Sequence, residues 1–250
     1  KLKATDVRGE RDFLTSTHER FRPVAMTTGP DGALYIADMY RGLIQHRIFL
    51  TTFLRRQIEE RGLEGPMGLG RIWRVRKEGE PARRPDVDLA GAELEELAQL
   101  LTSDNAWVRD SAQRILVEDL DGEASALAVL RSIVDGGDSA LGAVHALWTL
   151  DGVDFIDDGT LRSGLSFPDP RVRAAAAEIA ERRLDLEGSD LIYDVLAGAL
   201  ADPNARARLH ALLALGASDQ EVVLEAFVQR MSADASSSLE RSAVVSGLQF

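Results

Sequence analysis

The sequence predicts a mainly α fold, a helical-repeat solenoid (an α–α superhelix) over residues 92–250, preceded by a small β segment over residues 1–77. Three observations predict it. One sequence unit recurs about five times after residue 92, which is the signature of stacked helix pairs. Before residue 77 the apolar period is two, the period of a strand. The charge also changes sign between the two stretches: residues 1–77 carry 15 Lys/Arg against 9 Asp/Glu, a net +6, and the other 173 carry 14 against 32, a net −18, within a total of −12.

In the head, Arg22 to Met26 reads as a short strand, Gly29-Pro30-Asp31-Gly32 as a turn, and Ala33 to Asp38 as a second strand with alternating apolar residues. Gly70 to Val75 is a third strand. The insertion between them, Tyr40 to Leu69, has helical spacing from Phe49 to Arg61 and a stop at Gly62. Three or four short strands make one blade of a larger sheet assembly, because so small a sheet needs neighbours to cover it. Residues 78–91 form a linker, kept extended by Pro81 and Pro85.

The repeat is anchored on Arg109, Leu141, Arg173, Arg208 and Arg241, at intervals of 32, 32, 35 and 33 residues. Each anchor opens the second helix of a pair. First helices are predicted at about 92–101, 123–134, 158–165, 189–200 and 219–231. The third is the weakest, being short and holding Gly159 and Gly164. The intervening turns carry helix-starting residues, Asp104, Asp138, Asp169 and Asp202, with prolines at Pro170 and Pro203 suited to the first helical position. Asp104, Arg109, Asp169, Arg173, Asp202, Arg206 and Arg208 are therefore expected to brace turns and stack, each Arg pairing with the Asp of its own or a neighbouring turn. His145 and His210 lie among apolar residues of second helices and read as packed side chains, as do Trp107 and Trp148.

Composition excludes several function classes. With 45% apolar residues the chain can bury a core, and with no cysteine it can hold no disulfide, thiolate zinc site, iron–sulfur cluster or c-type haem attachment. No apolar run is long enough for a membrane span. So acidic a solenoid repels phosphate backbones, so nucleic acid is not an expected partner. The chain starts and stops in mid-pattern, and a fragment of a longer protein is the expectation.

The Asp-Pro-x-x-Arg turns at Asp169–Arg173 and Asp202–Arg206 make residues 92–250 similar to HEAT repeats, a scaffold class. In the head, Phe21-Arg22-Pro23-Val24, the string from Gly29 to Gly42, Ile44-Gln45-His46-Arg47 and Gly70-Arg71-Ile72-Trp73-Arg74-Val75 resemble the last blade of a bacterial membrane-bound dehydrogenase family, related to the glucose/sorbosone quinoprotein β-propellers. That resemblance implies a periplasmic parent with pyrroloquinoline quinone, calcium and haem c, in which HEAT-like helices precede a cytochrome c domain. It implies partners in the missing propeller blades, and a protein held on the solenoid. The family's catalytic His belongs to an early blade that this chain lacks, so no catalytic or metal-binding residue and no resident cofactor are expected here. Tyr40, Arg41, Gln45 and His46, in the loop leaving the second strand, are the candidates for a cofactor contact, Arg41 toward a quinone carboxylate. Asp31 and Asp38 read as turn and strand residues. A structural and protein-interaction scaffold is the favoured function, and the C-terminal part of a quinone-dependent sugar or alcohol dehydrogenase is the alternative.

Overall fold

The computed structural model describes residue 9 and residues 12–79, 87–184, 190–218, 220–232 and 237–247. Two compact units divide the chain. One holds Thr5–Asp86 together with Asn105–Trp107, and the other holds most of the remainder from Val87 onward. The prolines of the expected linker, Pro81 and Pro85, lie outside the described residues.

The first unit is built on a three-stranded antiparallel sheet in the order β1 (Pro23–Thr28), β2 (Leu34–Asp38), β3 (Arg71–Val75). Met26, Ile36 and Trp73 lie opposite one another across the three strands, and only Ile36 of that row is buried. Gly32, at φ +72°, makes the β1–β2 turn, where Asp31 accepts from the Ala33 amide at 3.1 Å and pairs with Arg74. The insertion forms helix α1 (Thr52–Glu60), capped by the Thr51 hydroxyl and ended near Gly62 at φ +61°. Arg20 ties this end down by donating to the carbonyls of Gly62 (2.9 Å) and Gly65 (2.7 Å).

The second unit is mainly α. Its helices pack in pairs: α2 (Leu94–Leu100) with α3 (Ala106–Asp119), α4 (Ala124–Gly136) with α5 (Ala140–Gly152), and α6 (Asp158–Leu165) with α7 (Pro170–Ala180). They continue as α8 (Leu191–Ala201) with α9 (Ala205–Leu215), and α10 (Glu221–Ser232) with α11 (Ser238–Gly247). First helices contact first helices from α2 to α10, and second helices contact second helices from α5 to α11, with His145 of α5 bonded to Gln113 of α3. One apolar core runs from Leu97 to Val244, with Trp148 half-buried against it. No single pair could cover its own stripe, so neighbouring pairs share the core. Among the described residues no helix is long and apolar enough to cross a membrane.

The capping residues correct the sequence register. Asp169 does cap its helix, accepting from the Arg171 amide at 2.8 Å, with Pro170 as the first helical residue. Elsewhere the cap follows the expected Asp. Asn105 accepts from the Trp107 amide at 3.0 Å, Ser139 from Gly142 at 3.1 Å, and Asn204 from both Arg206 (2.9 Å) and Ala207 (3.3 Å). Asp104 and Asp138 thus stand one residue early and Asp202 two, and Pro203 precedes its cap. A side chain one residue nearer the helix reaches the second and third amides better, and Asn and Ser do this as well as Asp. In the last pair Ser237 and Glu240 form a capping box, with Glu240 accepting from the Ser237 amide at 2.6 Å and Ser237 from the Glu240 amide at 3.2 Å. Counted four residues on from each cap, the anchors become Arg109, Ala143, Arg173, Arg208 and Arg241. Ala143 replaces Leu141, which points outward and is exposed.

Gly164, expected to weaken α6, lets α6 pack tightly on α7: a Cβ there would stand 2.8 Å from the Ala176 Cβ and 3.3 Å from a Leu147 methyl. Gly164→Val is expected to destabilise the helical unit by about 1–3 kcal/mol through overpacking, read as a lower midpoint in urea denaturation followed by helical circular dichroism.

Candidate functional site

The anchor arginines form a ladder inside the helical unit. Three of them donate one terminal nitrogen to the carbonyl two residues before their own cap: Arg109 to Ser103 (2.6 Å), Arg173 to Phe167 (2.8 Å) and Arg208 to Asp202 (2.6 Å). That bond fastens the end of the first helix to the start of the second. In Arg173 and Arg208 further donors reach the next pair. Arg173 clasps both oxygens of Asp202 (2.6 and 2.9 Å), a forked geometry that guanidinium and carboxylate share. The fork raises the Arg173 pKa, and burial only partly opposes it. Burial raises the Asp202 pKa, but Arg173 and the Asn204 amide outweigh it and the net shift is downward.

Position by position, the acid depends on what the next turn supplies. The residue two before the next cap is Asp202 for Arg173. For Arg109 it is Gly137, which has no side chain, and Arg109 Nε has no hydrogen-bond partner among the described residues although the side chain is buried. Between them the ladder turns apolar: Ala143 takes the Arg position and Phe167 the acid position, both buried in the shared core. Arg206 carries no rung; its amide serves the Asn204 cap and its side chain is exposed.

The strongest node was not legible as a site. Arg208 Nε (2.8 Å) and Arg230 (3.1 Å) converge on one oxygen of Glu240, which is 1% exposed, while the other oxygen accepts from Ser237. Burial alone would raise the Glu240 pKa, but the Ser237 amide, Arg208, the Ser237 hydroxyl and Arg230 outweigh it and bring the group to about 2. The S-x-x-E capping box from Ser237 was the available signal, and nothing in the sequence paired Glu240 with Arg208, 32 residues away. First helices carry a parallel set of links, Arg131 to Asp157 (3.0 Å) and Arg162 to Asp194 (3.0 Å), each joining one pair to the next. His145 bonds Gln113 at 2.6 Å and lies 3.9 Å from Asp110, and His210 lies 3.3 Å from Glu178. Burial first, then the charge of Arg109, lowers the His145 pKa against the pull of Asp110.

In the head, Asp38 organises the start of the loop that carries the cofactor candidates. It is buried and accepts from the amides of Arg22 (2.8 Å) and Tyr40 (2.9 Å) and from the Trp73 indole (3.0 Å). Those bonds hold its pKa down against the opposing effect of burial. They also hold Tyr40 at φ +46°, a left-handed conformation uncommon for an aromatic residue. The Tyr40 ring lies 3.5 Å below the Arg71 guanidinium and 5.0 Å from the His18 ring. Arg41 is exposed and contacts the Met67 sulfur at 3.0 Å; His46 meets Phe49 edge-on. Gln45 lines a groove of about 570 Å³ beside α1, with Arg22 and Arg61 at its polar margin and Leu50, Phe53 and Leu54 on its apolar wall.

These features define a mainly α protein of ion-paired helix pairs that follow a small antiparallel sheet. Residues 1–79 match a family described as "Domain of unknown function (DUF7133)", which takes in the whole sheet and its helical insertion. No curated protein sequence matches the chain.

Two outcomes test the ladder. Glu240→Ala leaves two buried guanidiniums uncompensated and is expected to cost about 3–5 kcal/mol, measured by denaturant unfolding of the helical signal. Because the folded Glu240 pKa lies below its unfolded value near 4.5, its stabilising contribution is full above that value and is lost as pH falls toward about 2. Wild type should therefore lose roughly 3 kcal/mol across that window, and Glu240→Gln should flatten this part of the pH–stability curve.

Proposed function

We propose that the chain is a structural and protein-interaction scaffold, a HEAT-type stack attached to the end of a dehydrogenase-like β segment. The observation that carries this reading is how the helical unit spends its charged groups: Arg131, Arg162, Arg173 and Arg208 each bind one helix pair to the next. Groups engaged in this way fix the spacing of the pairs, which suits a stack to hold a partner along its exposed helix faces. Tyr193, on α8, stands on such a face and is 64% exposed. A photo-crosslinking side chain at Tyr193 in the producing cell is expected to yield a discrete protein adduct; a ladder of non-specific adducts there and at Leu213 counts against the scaffold.

A second reading rests on the head, as the last blade of a quinone-dependent sugar or alcohol dehydrogenase that passes electrons to a cytochrome c domain. It is favoured by the exposed Arg41 guanidinium beside a backbone held at positive φ, and by the guanidinium-edged groove that Gln45 lines. A carboxylated aromatic cofactor matches that chemistry, with cationic donors at the margin and an apolar wall. Calorimetric titration with pyrroloquinoline quinone and calcium separates the readings. Saturable binding that Arg41→Ala abolishes supports the dehydrogenase fragment. Binding that ignores Arg41, or none, leaves the scaffold.

A further inference from the structure

Three arginines of the ladder stand in one register, four residues after a helix cap, and two of them have both their bonds. Arg173 and Arg208 each spend Nη1 on the carbonyl two residues before the cap and Nε on a carboxylate of the next pair, Asp202 and Glu240. Arg109 makes the first bond, to Ser103 at 2.6 Å, and not the second. Its side chain is only 7% exposed, its Nε is sealed from water without an acceptor, and its Nη2 has none either among the described residues.

The place of the missing acceptor follows from the Arg173 joint. There Asp202, two residues before the Asn204 cap, takes Arg173 Nε and Nη2 and also the Asn204 amide at 2.7 Å. Its counterpart two residues before the Ser139 cap is Gly137, and the Ser139 amide has no acceptor among the described residues. The two joints share a register. Thr102, three residues before its cap, lies 2.9 Å from where a Cβ on Gly142, three residues after the next cap, would stand. Ser166 and Ala207, at the same two places, line one cavity with Arg173 and Asp202. A Cβ on Gly137 itself would meet no heavy atom within 4 Å, so the space of the absent side chain is open. Four acids lie close in sequence, Asp135 and Asp138 beside Gly137, and Asp104 and Asp110 beside Arg109. All four are exposed and none bonds Arg109.

Two unmet guanidinium donors and one unmet amide, arranged around an absent side chain, make the recognition set of a carboxylate. We propose that the position left by Gly137 binds a small free carboxylate of the size of acetate, between Arg109 and the Ser139 amide. Acetate is the Asp side chain cut at its Cα–Cβ bond, so the ligand completes the link that Asp202 makes in the later joint. The four nearby acids repel anions at long range, which keeps binding weak and favours a monoanion over phosphate. Once bound, the ligand ties α3 to α5 and stabilises the stack as its concentration rises.

Sodium acetate titrated into the isotope-labelled chain at constant ionic strength, against sodium chloride, tests this. The Arg109 Nε–H resonance, identified by its loss in Arg109→Met, is expected to move downfield to a plateau with acetate and not with chloride. The urea midpoint of the helical signal is expected to rise over the same range. Gly137→Asp supplies the carboxylate covalently and is expected to show the shifted resonance without acetate and no further response. Should the left-handed backbone there (φ +74°) keep that variant from folding, Arg109→Met serves in its place, and its midpoint is expected to ignore acetate. No saturable shift in the wild type overturns the proposal and leaves water as the occupant. So does a shift that chloride reproduces, or a midpoint that rises with acetate as much in Arg109→Met as in wild type.

Discussion

A guanidinium taken out of water must have its donors met, and the helical unit is organised around that requirement. An Arg placed four residues after a helix cap reaches the carbonyl two residues before it, so one side chain closes the turn within its own pair. The donors left over are strongly directional and reach into the next pair. Where the next turn offers an acid, as Asp202 does to Arg173, a forked ion pair joins the two units. Removing one partner of such a pair leaves a buried charge, which costs far more than the pair contributes. The stack is therefore least tolerant at its joints.

The exceptions follow the same rule. Ala143 and Phe167 replace a charged rung with an apolar one, and both ends change together. Where the next turn has Gly137 at the acid position, Arg109 keeps a buried nitrogen without a partner among the described residues. Arg208 shares Glu240 with Arg230, so these two pairs are held by a three-membered buried cluster. Close packing supplements these links where side chains vanish. Gly164 draws α6 against α7, and Gly216 meets Gly247 so closely that a Cβ on Gly216 would stand 2.9 Å from its neighbour's Cα.

The head obeys a related constraint on a smaller scale. Three polar groups from three separate segments, the amides of Arg22 and Tyr40 and the Trp73 indole, meet one buried carboxylate at Asp38. That convergence fixes the exit of β2 and turns the following loop toward α1, where the candidate groups Arg41, Gln45 and His46 emerge.

Period and spacing determined the class of the protein: period two gave three strands and a turn at Asp31-Gly32, and a recurring interval gave five helix pairs within a few residues of their observed bounds. These signals are local, since a strand or an amphipathic helix is written in residues two to four apart. The arginines were legible for the same reason, as recurrent positions. What they bind was not. The cap moved from Asp to Asn or Ser in three turns because a difference in reach of one or two residues lies below the resolution of a pattern, and that shift exchanged Leu141 for Ala143. The Glu240 cluster and the empty acid position at Gly137 exist only once helices distant in sequence are stacked. Burial and electrostatic pairing depend on what lies across an interface, and only the tertiary structure decides that.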